Sequence, residues 1–394
     1  MSILNKIKHK KTLVGIMGLG YVGLSNAILI NSKKFKVIGF DINSEKIKKL
    51  TNNTSYIEDV RSIDLKNYNK RSIFTNDLNL LKDSDIIIIS VPTPLTKNSK
   101  PDFGFIKSAI RNLKKIKPQK KIVILESTSY PGTTKDFFSS KIFDTSHIIF
   151  SPERINPGSN YNNEFITKII GSDKKNSLKL ASLFYKKIYN TIYECNSTKV
   201  AEMIKLFENT FRAVNIAYIN EIKEISSNFG IDIWEVINGA KTKPFGFMPF
   251  YPSIGVGGHC IPVDPQYLLW KIKKSNFKSP IISTSMKRLH LIKNESFLKI
   301  KKLIRKNSKI LILGVSYKKN ISDTRESPAI YIIKKMINSG FEVDFHDPHV
   351  PTILNKALKS IDLSAKNLKK YANVLIFTPH DKINFNFVLK HSKK

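Results

Sequence analysis

The sequence predicts an α/β protein with two parallel-sheet domains joined by a long central helix and a helical middle domain. Short apolar runs alternate with polar helical stretches over residues 1–195, a pattern typical of a sheet that helices cover on both faces. A helical period replaces this alternation over residues 196–304, and the alternation returns over residues 305–394. We therefore expect two Rossmann-like outer domains, with ligands bound between them.

The first domain opens with a strand, a glycine turn, a helix and a second strand. Leu13–Met17 is a short apolar run, Gly18-Leu19-Gly20-Tyr21-Val22-Gly23 fits G-x-G-x-x-G, and the strand Phe35–Phe40 ends before Asp41. Amides at the start of the helix can hold a pyrophosphate, and the carboxylate of Asp41 can accept hydrogen bonds from ribose hydroxyls. Because an acid there repels a 2′-phosphate, the pattern predicts NAD rather than NADP.

Further strands of the same sheet are predicted at residues 85–91, 121–125 and 147–150. The basic start Lys6–Lys11 and the apolar stretch after it imitate a signal peptide or a membrane anchor. Four glycines and Asn26 interrupt that stretch, which favours strand, turn and helix instead, so no membrane segment is expected.

The middle of the chain has a helical period. Over residues 197–229 apolar side chains recur every three or four positions, which predicts one long helix or two joined ones. Lys205 and Asn209 lie four residues apart and so share one face of it. A helix at 231–240, an aromatic loop at 244–253 and more helix from Pro265 to about Ile304 are expected to follow.

Cys260 lies between a glycine-rich turn and a predicted helix start at Pro262. The helix dipole favours a thiolate there, so Cys260 is a candidate nucleophile, although a cysteine beside a tight turn can also be a small buried hydrophobe. His259 is adjacent to it, but neighbouring side chains usually point apart, so we expect no Cys-His dyad. Cys195, distant in sequence, is interpreted as structural. Two such cysteines fit a reducing cytoplasm rather than a disulfide framework.

The last domain repeats the design of the first. Ile310–Leu313 predicts a strand, Ser327-Pro328 a helix start, Gly340 a helix end, and Phe341–Phe345 a strand before Asp347. His346, Asp347 and His349 do not have a recognisable zinc spacing, so no metal is expected. Glu153 follows the strand at 147–150, at a carboxyl end where such sheets bind ligands; it could also be an ordinary surface acid.

The formal net charge of +35 raises the alternative of a basic module that binds nucleic acid or a membrane surface. Lysine supplies most of the excess, and no basic run is interleaved with aromatic side chains. We therefore expect no nucleic-acid partner. The positive field instead suits recruitment of a diphosphate-bearing substrate.

With these residues placed, residues 12–380 resemble the UDP-glucose/GDP-mannose dehydrogenase family. The motifs that carry the resemblance occur in the family's order: Gly18–Gly23, Val91-Pro92-Thr93-Pro94, Glu126-Ser127-Thr128, Pro131-Gly132-Thr133-Thr134, Ser151-Pro152-Glu153-Arg154, Lys205 with Asn209, Gly257–Asp264, and Lys318 with Asp323-Thr324-Arg325-Glu326-Ser327. Residues 240–252 and 259–265 resemble the branch that acts on UDP-N-acetylhexosamines. The UDP-glucose branch usually has a lysine where this chain has Val263.

The resemblance implies a four-electron oxidation of a primary alcohol to a carboxylate with two NAD. UDP-N-acetylglucosamine is the first-choice substrate; UDP-N-acetylmannosamine, UDP-N-acetylgalactosamine and UDP-glucose stay open. Cys260 is implied to carry thiohemiacetal and thioester intermediates, so that the aldehyde stays in the site. The other implied catalytic roles are oxyanion stabilisation by Lys205 and Asn209, orientation of water or thiol by Asp264 and Thr128, and general-base action by Glu153.

The resemblance also implies ligand contacts and an assembly. Lys46, Thr93, Thr128 and Arg325 join the glycine turn and Asp41 as cofactor contacts. The implied substrate contacts are Glu153, Arg154, Lys205, Asn209, Phe250, Tyr251, Gly257 and Lys318. The long helix resembles the family's dimer interface, although a core helix would show the same stripe. The products fit surface-polysaccharide biosynthesis in a prokaryotic cytoplasm.

One departure from the family bears on the last sheet. Relatives usually continue past His380-Asp381 into a strand with an Asp-x-Arg element, so we expect that sheet to lack an edge strand and a substrate-contacting arginine. Besides the basic binding module, two alternatives therefore stay open: a two-electron dehydrogenase that releases an aldehyde, and a degenerate, non-catalytic relative.

Overall fold

The computed structural model describes residues 1–57, 60–96, 98–155, 158, 163–304 and 308–392. The chain folds into two compact units. The first unit comprises residues 1–207 and 266–274, and the second unit comprises residues 208–265 together with the chain from Ser275 onward.

The elements of the first two hundred residues alternate as predicted, with additional short strands. In chain order they are α1 Ile3–Lys8, β1 Leu13–Met17, α2 Tyr21–Ser32, β2 Lys36–Phe40, α3 Ser44–Thr51, α4 Ser62–Asn69, β3 Ile73–Thr75, β4 Ile86–Ile89, α5 Gly104–Lys115, β5 Ile122–Leu125, α6 Thr133–Phe138, β6 His147–Phe150, β7 Lys168–Gly171, α7 Lys175–Tyr185 and β8 Ile192–Cys195.

The remainder is helical and then returns to strands. Its elements are α8 Thr198–Asn228, α9 Ile233–Ala240, α10 Asp264–Lys273, α11 Pro280–Leu303, β9 Ile310–Leu313, α12 Pro328–Asn338, β10 Val343–His346, β11 Thr352–Ile353, β12 Leu358–Lys359, α13 Ala365–Leu368, β13 Asn373–Ile376 and α14 Phe385–His391.

The first unit is built on an eight-stranded sheet in the order β3-β2-β1-β4-β5-β6-β7-β8. All neighbours are parallel except β6 and β7, which meet antiparallel at Phe150 and Gly171. Every side chain of β4 and β5 is buried, which explains their continuous runs of isoleucine, valine and leucine. Because strands β1, β4, β5 and β6 are parallel, their carboxyl ends lie along one edge of this sheet.

A returning segment completes the first unit. Residues 266–274 bring Tyr267 and Trp270 against Phe103, with ring centroids 5.7 and 5.5 Å from it. Trp270 also lies 5.2 Å from Tyr130, and the Tyr267 hydroxyl donates to the carbonyl of Pro94 at 3.2 Å. This aromatic cluster therefore combines segments that are distant in sequence.

The second unit contains a three-stranded parallel sheet in the order β10-β9-β13, and β11 and β12 form a short antiparallel pair. Ile310–Leu313 of β9 is wholly buried at the centre of the sheet. Strand β13 lies at one edge of it among the described residues. The helix α12 begins at Pro328, next to Ser327, where a proline was predicted to start it.

One predicted boundary in the middle of the chain was wrong. The helix after Cys260 begins at Asp264 rather than Pro262, because residues 261–263 form a turn closed by the amide of Asp264 on the carbonyl of Cys260. The predicted helical stretch from Pro265 is two helices, α10 and α11, separated by residues 274–279. Among the described residues, no helix combines the length and apolarity that crossing a membrane requires.

Candidate active site

The glycine turn after β1 has a distinct requirement at each glycine. Gly18 has φ +96°, and a Cβ there would lie 2.7 Å from the carbonyl oxygen of Ser90. A Cβ on Gly23 would lie 1.8 Å from the carbonyl oxygen of Gly18, so this glycine lets helix α2 pack on the turn. Gly20 caps α2 and has no atom within 4 Å of its Cβ position, so the backbone there is open to a phosphate.

Asp41 lies at the end of β2 and is held beside this turn. Its carboxylate accepts the amides of Leu19 and Asn43, both at 2.9 Å, and the ammonium of Lys46 lies 3.4 Å from Oδ2. The Tyr56 hydroxyl donates to the carbonyl of Leu19. An open helix start with a carboxylate at the end of the second strand fits NAD, with Tyr21 and Val22 in the first turn of α2.

The loops after β4 and β5 are joined to each other. The Ser127 hydroxyl accepts the amide of Val91 at 2.9 Å and donates to its carbonyl at 2.8 Å. Thr93 is buried in the first loop, and Thr128, in the second, is half-buried. Both predicted cofactor threonines thus lie at the carboxyl edge of the sheet, one on each side of this contact.

Glu153 follows β6 and has four donors on its buried carboxylate. Oε1 accepts the amides of Arg154 and Ile155 at 2.8 and 3.1 Å. Oε2 accepts Nζ of Lys168 at 2.7 Å and Nδ2 of Asn26 at 3.1 Å. Burial raises the pKa of Glu153, but the Lys168 charge and these hydrogen bonds outweigh it and hold the pKa below its ordinary value. The carboxylate is thus ionised and fully engaged.

Lys168 joins Glu153 to a second buried carboxylate. Its Nζ lies 3.0 Å from Oε1 of Glu126, which also accepts the Tyr185 hydroxyl, and Oε2 of Glu126 accepts Asn26 Nδ2 at 2.7 Å. Burial lowers the pKa of Lys168, but the two carboxylates raise it well above its ordinary value. Sequence reasoning missed Lys168, because a lysine at a strand start usually faces solvent, and Asn26 was noted only as a polar interruption.

The side chain of Lys205 is held by the backbone that follows β6. Its Nζ donates to the carbonyl oxygen of Glu153 at 2.6 Å, and the side chain is only 9% exposed. Nη1 of Arg154 donates to the carbonyl of Thr167 at 3.0 Å, so its guanidinium is held near β7. The first unit thus brings together three of the predicted site residues, Glu153, Arg154 and Lys205.

In the second unit, Cys260 is exposed at the start of the turn before α10. Its carbonyl accepts the amide of Asp264 at 2.8 Å, which fixes the backbone on which the thiol is carried. Asp264 is 1% exposed, and its Oδ2 accepts Nδ2 of Asn209 at 2.5 Å. Two predicted catalytic side chains, Asn209 from α8 and Asp264 from α10, therefore meet directly.

The glycines before Cys260 are required for packing. A Cβ on Gly257 would lie 2.6 Å from Cβ of Tyr317, and one on Gly258, where φ is +79°, would lie 2.7 Å from the Tyr317 ring. The amide of Gly258 donates to the carbonyl of Arg325 at 2.8 Å. These contacts fasten the cysteine loop to the segment that carries Lys318 and Arg325.

His259 is a neutral neighbour of the thiol. Burial, with a smaller effect of Arg325, lowers the pKa of its imidazole to about 4, although Asp323 opposes the shift. An imidazolium is therefore absent near neutral pH, so this histidine offers no positive charge to a thiolate. Its Nε2 is buried and has no hydrogen-bond partner among the described residues.

The predicted ligand contacts of the second unit lie in three places. The guanidinium of Arg325 pairs with Asp323 at 2.6 Å, and the carbonyl of Lys318 accepts the Ser316 hydroxyl at 2.7 Å. The Phe250 ring lies 5.8 Å from that of Phe211 on α8, whereas the half-exposed Tyr251 stacks on Trp234 of α9 at 6.2 Å.

The segment His346–His349 is a structural cluster in the described chain. The buried carboxylate of Asp347 accepts the amides of Val315 and Ser316 at 2.7 and 3.2 Å, and Nε2 of His380 lies 3.1 Å from it. Asp347 thus closes the turn after β9 as Asp41 does after β1. Over the described residues no group of three or more histidine, cysteine or acidic side chains is arranged to hold a metal ion.

Family models match this chain in three consecutive blocks. The NAD binding domain, the central domain and the UDP binding domain of the UDP-glucose/GDP-mannose dehydrogenase family match residues 12–191, 199–288 and 311–391.

Individual proteins match over most of their length. Protein CapL of Staphylococcus aureus is 35% identical over 93% of this chain and 89% of its own. The UDP-N-acetyl-D-glucosamine 6-dehydrogenase of Pseudomonas aeruginosa is 34% identical over 86% of this chain and 84% of its own. The solved UDP-D-ManNAc dehydrogenase of Pyrococcus horikoshii superposes with a TM-score of 0.85 and 31% identity, over 97% of this chain and 93% of that one.

These matches agree with the nucleotide turn, the two Rossmann-like sheets and the long helix α8. The chain therefore belongs to the UDP-glucose/GDP-mannose dehydrogenase family and is an NAD-dependent UDP-sugar dehydrogenase, an oxidoreductase.

Proposed function

We propose that this protein oxidises the C6 alcohol of a UDP-N-acetylhexosamine to the carboxylate, with Cys260 holding the half-oxidised sugar. The observation that carries the proposal is the exposed Cys260 on a backbone fixed by Asp264, itself bonded to Asn209. An accessible thiol one turn before a buried Asn–Asp pair suits covalent capture of an aldehyde.

The proposed chemistry gives each side chain a role. NAD, when bound, accepts the hydride removed in each of the two oxidations. The Cys260 thiolate attacks the aldehyde carbon, an S–C bond forms, and the carbonyl oxygen becomes an oxyanion that Lys205 and Asn209 stabilise as hydrogen-bond donors. After the second oxidation, water attacks the thioester and the Cys260 thiolate leaves.

Orientation of the thiol and water falls to Asp264 and Thr128 in this scheme. Glu153 as general base requires one of its four donors to give way to water, since both oxygens are engaged. Glu153 has a second role in the proposal, because its carbonyl oxygen holds the ammonium of Lys205.

The remaining assignments follow the expected division into residues 1–195 for NAD, 196–304 for the cysteine and dimer contacts, and 305–394 for the UDP-sugar. We assign cofactor contacts to Gly18, Gly20, Tyr21, Val22, Asp41, Lys46, Thr93, Thr128 and Arg325. We assign substrate contacts to Glu153, Arg154, Lys205, Asn209, Phe250, Tyr251, Gly257 and Lys318.

The sugar is proposed at the level of an N-acetylhexosamine. UDP-N-acetylglucosamine remains our first candidate, supported by the relative of that name from Pseudomonas aeruginosa. UDP-N-acetylmannosamine is the second, because the relative from Methanocaldococcus jannaschii, 33% identical over 93% of this chain, and the solved structure from Pyrococcus horikoshii carry that name. We place the product in surface-polysaccharide biosynthesis in a prokaryotic cytoplasm.

We also propose a homodimer formed through α8. Large apolar side chains of this helix stay exposed along one stripe: Val200, Met203, Phe207, Phe211, Tyr218 and Ile225. A single exposed apolar residue is ordinary, whereas a stripe along one helix is typical of an interface. A second copy of the same helix is the partner we propose.

The deciding assay uses the purified chain, NAD and four UDP-sugars, with NADH as the readout. The proposal expects two NADH per UDP-N-acetylhexosamine and a carboxylate product. The Cys260→Ala variant is expected to lose more than about 10³-fold in turnover, because the covalent step disappears. Cys195→Ala, which changes a buried cysteine of β8, is the matched control and is expected to keep its activity.

Other results would favour the alternatives. One NADH with a released aldehyde indicates a simple two-electron dehydrogenase. Absence of NADH from every UDP-sugar by folded protein indicates a degenerate relative. Tight, steeply salt-dependent DNA or anionic-lipid binding without turnover indicates a basic binding module.

A further inference from the structure

Glu202 is a completely buried acid on α8, one turn before Lys205. Its carboxylate accepts three hydrogen bonds: the amide of Gly132 at 2.5 Å, the amide of Thr134 at 2.8 Å and the hydroxyl of Thr134 at 2.6 Å. These donors lie where the loop after β5 enters α6. Glu202 therefore joins the long helix to that loop.

The same loop carries Thr128. The hydroxyls of Ser129 and Thr133 lie 2.5 Å apart, and Ser127 is bonded to Val91, so the residues on both sides of Thr128 are held. Lys205, three residues after Glu202, is bonded to the carbonyl of Glu153. Helix α8 thus fastens the loops after β5 and β6 with two side chains of one turn.

Both oxygens of the Glu202 carboxyl group accept hydrogen bonds. Oε2 faces the amide of Gly132 and Oε1 faces the amide of Thr134, and a backbone N–H can only donate. The Thr134 hydroxyl can also accept, so a protonated Oε1 can donate to it while both amides keep an acceptor oxygen. We propose that Glu202 is a positioning residue: its carboxyl group holds the Thr128 loop against the helix that carries Lys205.

This anchor titrates in the physiological range. Burial raises the pKa of Glu202 to about 7, although the bonds from Thr134 and Gly132 oppose the shift, and nearby Asp173 adds to it. The side chains of Lys199 and Lys271 lie beside Gly132. Nζ of Lys271 is 3.6 Å from Oδ2 of Asp136 and 4.3 Å from the centroid of the Tyr130 ring. Because the pKa of Glu202 is higher in the folded state than in an exposed carboxyl group, the attachment is most stable below about pH 7 and weakens as the pH rises and a buried charge forms.

Hydrogen–deuterium exchange of the full-length protein tests the anchor without relying on activity. After correction for intrinsic exchange, we expect protection of the Gly132 and Thr134 amides to be about tenfold higher at about pH 6 than at about pH 8. Glu202→Gln, which places an amide NH₂ against one donor, is expected to give low protection at both pH values. Glu221→Gln, at an exposed position of the same helix, is the control and should behave as wild type.

A second pair of variants tests the same hydrogen bonds in case Glu202→Gln does not fold. Thr134→Val removes the hydroxyl donor and should lower the protection of the same amides, whereas Thr134→Ser keeps it and should restore protection. Protection that is independent of pH in the wild type, or that is unchanged in Glu202→Gln and Thr134→Val, overturns the proposal.

The catalytic consequence rests on the proposed function, because it takes Thr128 and Lys205 as site residues. In that case Glu202→Gln should lower kcat about tenfold with little change in the KM for NAD. Its kcat should also lack the decline that the wild type shows as the pH rises through about 7. A kcat and pH profile equal to the wild type overturn the positioning role. Wild-type protein that shows the expected exchange but oxidises no UDP-sugar overturns the proposed function and leaves the anchor standing.

Discussion

The chemistry of single residues in this protein depends on which buried charges have partners. Glu153 and Glu126 both pair with the buried ammonium of Lys168, whose charge helps to hold the pKa of Glu153 below its ordinary value. Glu202 has only hydrogen-bond donors and no cation at bonding distance among the described residues, so desolvation raises its pKa instead. The pKa values of Glu153 and Glu202, two buried acids of the same unit, are therefore shifted in opposite directions.

His259 gives a prediction at this scale. Because its pKa is lowered to about 4, the imidazole is neutral where the thiol ionises, and replacement by another neutral group should not change that ionisation. We expect the pH midpoint for iodoacetamide labelling of Cys260 in His259→Gln to lie within about 0.5 unit of the wild type. Cys195 is buried, so labelling reports on Cys260. A midpoint raised by a full unit or more would reveal a Cys-His dyad and contradict this inference.

At the scale of elements, the turn between β1 and α2 separates ligand binding from packing. A Cβ added to Gly20 would enter open space, whereas a Cβ added to Gly23 would collide with the carbonyl oxygen of Gly18. The same type of residue therefore serves two purposes three positions apart.

Alanine at each glycine should separate the two purposes. Gly20→Ala should change the free energy of unfolding by no more than about 1 kcal/mol but weaken NAD binding about tenfold, because the methyl occupies the open phosphate approach. Gly23→Ala should destabilise the fold by about 1–3 kcal/mol or more, since helix and turn must separate. Urea unfolding and calorimetric titration with NAD measure both. Equal losses of stability in the two variants would show that Gly20 also serves packing.

Elements with a strong local pattern were predictable from sequence. Leu13–Met17, His147–Phe150 and Ile310–Leu313 have the predicted bounds, because a buried parallel strand is a short apolar run. Short strands such as Ile73–Thr75 carry too few residues for a period and were missed. The partners of Lys168 and Glu202 were unpredictable for another reason: they lie 15 to 70 residues away, and only the folded sheet brings them together.

At the scale of the whole molecule, the exposed stripe on α8 predicts assembly. Phe207 and Tyr218 are 63% and 61% exposed, and an aspartate at either place puts a charge on an apolar contact. We expect Phe207→Asp and Tyr218→Asp to weaken the dimer at least tenfold, about 1.4 kcal/mol, while the circular dichroism spectrum stays unchanged.

Light scattering coupled to gel filtration over a dilution series measures this. Asn228→Asp, at an exposed polar position near the end of the same helix, is the control and should remain dimeric. A wild-type chain that is monomeric at all concentrations, or a dimer that both aspartates leave intact, would show that the stripe is no interface.

The returning segment 266–274 affects when the first unit can fold during synthesis and which fragments of it can be produced alone. Phe103 and Tyr130 are covered by Tyr267 and Trp270, so a polypeptide that has reached Phe207 still lacks part of its own aromatic core. On the ribosome, the nucleotide-binding sheet must therefore wait for some sixty further residues before that surface closes. A recombinant fragment cut after α8 begins would expose the same rings, and it would be a poor stand-in for the isolated domain.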